Sequence, residues 1–145
     1  MINMLPHDRP VSSRTGTCLK ALFALGAVYA GLAVACQAAA THLPDVHFPV
    51  PGGRQMMHMA ADIALWHGIA LCALTLGSRQ LHPLRLVIGC IGLATGTALF
   101  SIPVTLHGFG ILFPARLAPS GGTLIILSWF CVASAALFRS RRSRP

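Results

Sequence analysis

The chain has 145 residues, of which 54% are hydrophobic and only 10% charged, whereas an ordinary soluble domain is about 25% charged. That balance argues against a water-soluble globular domain and against a disordered polar chain. The net charge of +8 raises nucleic-acid binding, but the basic residues flank apolar stretches and have no interleaved aromatics, which argues against that class too.

Residues 21–44, 63–78, 86–115 and 117–138 contain no Asp, Glu, Lys or Arg. A bilayer core about 30 Å thick takes roughly 20 apolar residues per helical crossing and tolerates no unsatisfied backbone in contact with lipid. The sequence therefore predicts an all-α membrane protein, a bundle of four transmembrane helices at about 21–41, 56–77, 86–107 and 120–138. One transmembrane domain would cover 18–138, between a disordered basic tail over 1–17 and a basic cytoplasmic tail over 139–145. No room remains for a separate soluble domain.

Lys and Arg set the orientation. Arg9, Arg14 and Lys20 precede span one, Arg79 and Arg85 follow span two, and Arg139, Arg141, Arg142 and Arg144 follow span four. Only Arg54 and Arg116 fall in the other two connections, so both termini are expected in the cytoplasm. The C-terminal basic cluster also suits anionic lipid headgroups. The rival organisation makes residues 1–40 a cleaved signal peptide, with Ala38-Ala39-Ala40 at the cleavage site.

Span one carries Ala27, Gly31, Ala35 and Ala39 at steps of four, a small-residue stripe of the kind that lets helices approach closely in lipid. Span two opens on Met56-Met57-His58-Met59 and then places Asp62 inside the membrane. An intramembrane acid is a candidate functional residue, and His58 stacks one turn below it on the same face. His67 falls about 140° round the helix from Asp62 and joins no cluster with it. Trp66, Trp129 and Tyr29 read as packing or interfacial anchors. Soft-ligand copper binding by the Met/His run is one alternative; another is haem held between His67 and His107.

Span three contains Gly92 and Gly96 in a GxxxG pattern, with Gly89 on an adjoining line, and span four carries Gly121, Gly122 and Ser128. These stripes predict tight packing, either within the bundle or in a homodimer. Pro103 is expected to kink or end span three, and Gly108-Phe109-Gly110 to break it, leaving Ile111 to Phe113 as an interfacial dip. Ser120 is expected to cap the start of span four. The five cysteines, Cys18, Cys36, Cys72, Cys90 and Cys131, stand apart from one another without metal-ligand or disulfide spacing.

Taken together, Gly96-Thr97-Ala98-Leu99-Phe100-Ser101, then Ala118-Pro119-Ser120-Gly121-Gly122, then Trp129, resemble the domain-of-unknown-function 423 family. These are small bacterial inner-membrane proteins similar to animal transmembrane protein 256. Trp66-His67-Gly68-Ile69-Ala70-Leu71 is similar to the family's aromatic-His-Ala-Leu-Ala-Leu segment. Thus His67, Phe100, Ser101, Pro119, Gly121, Gly122 and Trp129 carry the likeness, whereas Asp62 and His58 do not. Ala35-Cys36-Gln37 stands where the family has Gly-Ala-His, and Thr105 where it has Tyr.

The resemblance implies a four-span membrane protein of bacterial inner membranes and supplies no catalytic residues. The residues themselves show no nucleophile with a base partner, phosphate loop or metal-ligand set. The expectation is a non-enzymatic structural or accessory component without cofactor or nucleic-acid partner, in contact with membrane lipid and with a homo-oligomer or another membrane protein. The rival is a small transporter or proton-conducting subunit using Asp62, His58 and His67.

Overall fold

The computed structural model describes residues 13–114 and 116–137, with no strand among the described residues. Four helices follow one another: α1 over Ser13–His42, α2 over Gly53–Leu76, α3 over Pro83–Gly108 and α4 over Leu117–Leu137. Short 3-10 turns at Asp45–His47 and Gly77–Gln80 lie in the first two connections. All four helices are long and apolar enough to cross a membrane, as the charge-free windows predict. Residues 13–17, expected in the tail, already belong to α1. Residues 1–12, Phe138 and the basic tail over 139–145 lie outside the described residues.

The helices run alternately up and down. Gln37 near the end of α1 meets His58 near the start of α2, while Gly26 meets Gly68 further along. Gly53 at the start of α2 meets Gly108 at the end of α3, and Gly96 and Gly89 of α3 meet Gly121 and Val132 of α4. α2 and α3 form the central pair. α1 packs on α2 and reaches α3, and α4 packs on α3 and reaches α2 through Trp129.

The interior is small. Leu71, Leu86, Leu93, Cys90 and Thr97 are its largest fully buried side chains, while Leu32, Val34, Ile126, Leu127 and Phe130 are among many large apolar residues on the outside. In water each square ångström of that apolar surface carries a cost of about 25 cal/mol. Hydrocarbon removes the cost, so the outward faces of these helices match a lipid surrounding.

Since lipid tails give no hydrophobic drive between helices, the crossings depend on close backbone approach. A Cβ at Gly26 would stand 2.7 Å from the Gly68 carbonyl oxygen, and one at Gly68 would stand 2.6 Å from the Gly26 oxygen. The α1 contact line therefore differs from the predicted stripe. Gly31 has nothing within 4 Å of an added Cβ, Ala27 and Ala35 are exposed, and Leu22, Gly26, Ala33 and Ala40 are buried instead. Steps of strictly four residues drift about 40° each round the helix, whereas the buried line advances by four and then sevens and stays on one face.

The α3/α4 crossing follows the expected small residues. A Cβ on Gly121 would lie 2.6 Å from the Phe100 backbone nitrogen and 2.8 Å from the Gly96 oxygen. Gly92 and Gly96 thus serve a contact within the chain, against Ser128 and Ile125. α3 continues past Pro103 to Gly108, and Gly110 makes the break with φ +77°. α4 begins at Leu117, before the predicted cap. Ser120 is already helical and its hydroxyl donates to the Leu117 carbonyl at 2.8 Å, and Pro119 fits the first turn because no amide hydrogen is needed there.

Candidate functional site

The polar residues of the spans are the candidates, and the structure sorts them into four places. At the α1–α2 connection Arg54 closes the end of α1. Its guanidinium donates to the carbonyls of Ala40 and, at 2.8 Å, Leu43. It also pairs with Asp45 at 2.5 Å and lies 4.7 Å from the centre of the Phe48 ring, which itself stacks on Phe109 at 5.4 Å. A cation at a helix C-terminus satisfies carbonyls that have no partner inside the helix. The planar fork of arginine reaches several acceptors at once.

Further into the membrane Gln37 of α1 sits between the two predicted candidates of α2. Its Nε2 donates to Asp62 Oδ1 at 2.5 Å, and its Oε1 accepts from His58 Nδ1. The amide uses its donor end on the acid and its acceptor end on the imidazole, which fixes its orientation. Asp62 and His58 do share a face as their spacing predicts, but Gln37 bridges them. Asp62 stays exposed on the outside of the bundle.

His67 is buried and belongs elsewhere, again as its angle predicts. Its Nδ1 lies 2.7 Å from the Ile63 carbonyl and therefore carries the proton, leaving Nε2 to accept the Trp129 indole N–H at 3.3 Å. This neutral tautomer satisfies both nitrogens and links α2 to α4. Trp129, read from sequence as packing or an interfacial anchor, is an interhelical donor.

The geometry overturns the haem alternative. Gly53 meets Gly108, so His107 stands level with the start of α2, whereas His67 lies fourteen residues along it, about 21 Å at 1.5 Å per residue. Two axial ligands cannot face one iron across that distance. Among the described residues no group of three His, Cys, Asp or Glu side chains converges for a metal.

The fourth place is a groove of about 230 Å³ between α1, α2 and α3, with Tyr29, Cys36, Ala61, Thr97 and Ser101 in its lining. Tyr29 donates to the Ala94 carbonyl at 2.9 Å, so it ties α1 to α3. Thr97 donates to Leu93 at 2.7 Å. The Ser101 hydroxyl is buried without a hydrogen-bond partner among the described residues. Of the other motif residues, Phe100 lies against Gly121 through its backbone and 3.8 Å from a Cβ on Gly122, and Pro119 stands in the first turn of α4.

Sequence reasoning missed the bridging role of Gln37 and gave Tyr29 only as a packing residue or interfacial anchor, without its bond to α3. Gln37 had one available signal, being a polar amide within a charge-free window. Comparison with protein-family models, curated proteins and solved structures finds no match for the chain.

Proposed function

We propose that the chain is a multi-pass protein of the bacterial inner membrane with both termini in the cytoplasm, related to the domain-of-unknown-function 423 family. It acts as a non-enzymatic structural or accessory component through lipid and protein contacts. The observation that carries this reading is the use made of the span polar groups. Gln37, His58, His67, Tyr29 and Trp129 each hydrogen-bond a neighbouring helix, and His67 bonds its own helix backbone as well. Such bonds hold helices in register in a medium that offers no competing water.

The family reading is supported by the way its motif residues meet, Phe100 against Gly121 and His67 against Trp129. The orientation is supported by nine of the eleven basic residues falling on one side. Affinity purification in mild detergent, with identification of co-purifying proteins, tests the accessory role. A reproducible stoichiometric partner supports it, and a purified chain that turns over a substrate alone refutes it. Reporter fusions at both ends test the topology, and either end outside the cell overturns it.

One observation favours a second reading, a proton-conducting subunit: Asp62 is exposed and only one of its oxygens accepts a hydrogen bond from the described residues. Vesicles holding the purified protein and a trapped pH-sensitive dye decide between the two. Proton flux that Asp62→Asn abolishes would replace the structural role.

A further inference from the structure

The outer face of α2 carries an unusual pair. The candidate membrane segment Gly53–Gln80 has its midpoint between Trp66 and His67, and Arg54 and Arg79 stand equally far from it, about 19 Å at 1.5 Å per residue. Asp62 is then about 7 Å from the middle of the bilayer, some 8 Å inside a hydrocarbon core about 30 Å thick. Trp66 lies at the midplane and is 68% exposed. Neither position suits its residue. Intramembrane acids normally face a bundle interior, and exposed tryptophan belongs at the headgroups. The Asp62 Oδ2 and the Trp66 indole N–H both lack a partner among the described residues. One is an acceptor and the other a donor, one helical turn apart.

The residues around them form a seam. Gln55, Met59, Asp62, Trp66, Ile69 and Ala73 are all exposed, and their spacing alternates four and three. That is the repeat with which two helices pack along a left-handed crossing.

We propose that this face of α2 is the interface of a homodimer, in which each Asp62 accepts the indole N–H of Trp66 from the second copy. Two copies with the same topology are related by a twofold axis along the membrane normal, so their α2 helices lie parallel at equal depth. Asp62 and Trp66 differ in height by about 6 Å. Helical side chains lean toward the helix N-terminus, which for Trp66 means toward the level of Asp62. The contact is reciprocal and made twice, which satisfies both groups without water. The second copy is favoured over an unrelated partner because the face already holds the donor and the acceptor that complement each other.

The dimer rests on the chain being a membrane protein, and its test keeps the two apart. Copies labelled with a donor or an acceptor fluorophore are reconstituted into phosphatidylcholine–phosphatidylglycerol vesicles, their insertion checked by flotation, and energy transfer followed as lipid is added. The native chain is expected to give transfer well above random proximity. Trp66→Phe and Asp62→Leu should each weaken association about tenfold, the size expected for losing two interhelical hydrogen bonds, while Asp62→Asn, which keeps an acceptor oxygen, stays near the native value. Transfer no greater than random for an inserted native chain overturns the dimer and leaves the membrane reading intact. Equal association of the native, Trp66→Phe and Asp62→Leu chains, or a loss in Asp62→Asn as large as in Asp62→Leu, overturns the proposed contact. A chain that fails to float with the vesicles overturns the membrane reading itself.

Discussion

Two glycines of α1, five residues apart, make a controlled comparison. Gly26 and Gly31 lie in one helix, and alanine at either adds a single methyl group. At Gly26 that methyl would meet the Gly68 carbonyl oxygen at 2.7 Å, Leu71 Cβ at 2.9 Å and Cys72 Sγ at 3.1 Å, whereas at Gly31 it meets nothing within 4 Å. Optimal non-bonded separations are about 3.5–4.0 Å, and the nearest atom at Gly26 is backbone of the facing helix, which no rotamer change can move. The two helices must part by most of an ångström, and a gap of about 0.5–1 Å already forfeits a quarter to a half of the dispersion attraction along the contact. Overpacking of this kind costs about 1–3 kcal/mol. Gly31→Ala instead removes backbone freedom from the unfolded chain and gains up to about 0.5–1 kcal/mol. The backbone gain is common to both positions, so the two variants should differ by the overpacking cost of about 1–3 kcal/mol, measured as the midpoint and slope of unfolding by SDS in mixed micelles. Equal stability of the two, or a larger loss in Gly31→Ala, would refute the placement of the α1 contact line and restore the strict four-step stripe.

Arg54→Ala should destabilise the chain by about 2–3 kcal/mol in the same assay, because hydrogen bonds from a charged donor are the stronger kind and the Ala40 and Leu43 carbonyls lose their donor. Arg54→Lys should recover only part of this, since an ammonium cannot reproduce the fork. Trp129→Phe keeps the ring but removes the indole donor to His67, and a loss of about 0.6–1.7 kcal/mol is expected, the range measured for hydrogen bonds between membrane helices. Ser101→Ala should be neutral or stabilising by up to about 1 kcal/mol, because the hydroxyl it removes is buried without a partner; a clear loss of stability would show that Ser101 holds a bond essential to the fold.

The number and placement of the helices were legible, though not the early start of α1 at Ser13, because hydrocarbon imposes a one-dimensional requirement, a run of apolar residues of fixed length, and such a requirement is written directly in sequence. α2 and α3 extend only three residues or fewer beyond the predicted spans at either end. Helix ends were less legible. Ser120 looks like a cap because of its residue type, yet α4 starts three residues earlier because Pro119 is compatible with a first turn and so does not mark the boundary. Of the two outcomes expected at Pro103, an end to the helix is not the one found, since α3 continues to Gly108 and the residue with a left-handed backbone, Gly110, lies beyond it.

The polar contacts were the least legible, for a reason that bears on how the candidate residues are weighed. Spacing along α2 correctly puts Asp62 with His58 and sets His67 apart, because angular position on one helix follows from residue number alone. It says nothing about what stands opposite. Gln37 lies twenty-five residues from Asp62 and Trp129 sixty-two from His67, and only the antiparallel packing of the helices brings them within reach. His67, with a partner on each nitrogen, is thereby bound into the bundle. Asp62, whose spacing gave it the same standing, keeps one oxygen without a hydrogen bond from the described residues, on an outer surface that it shares with the equally open indole N–H of Trp66.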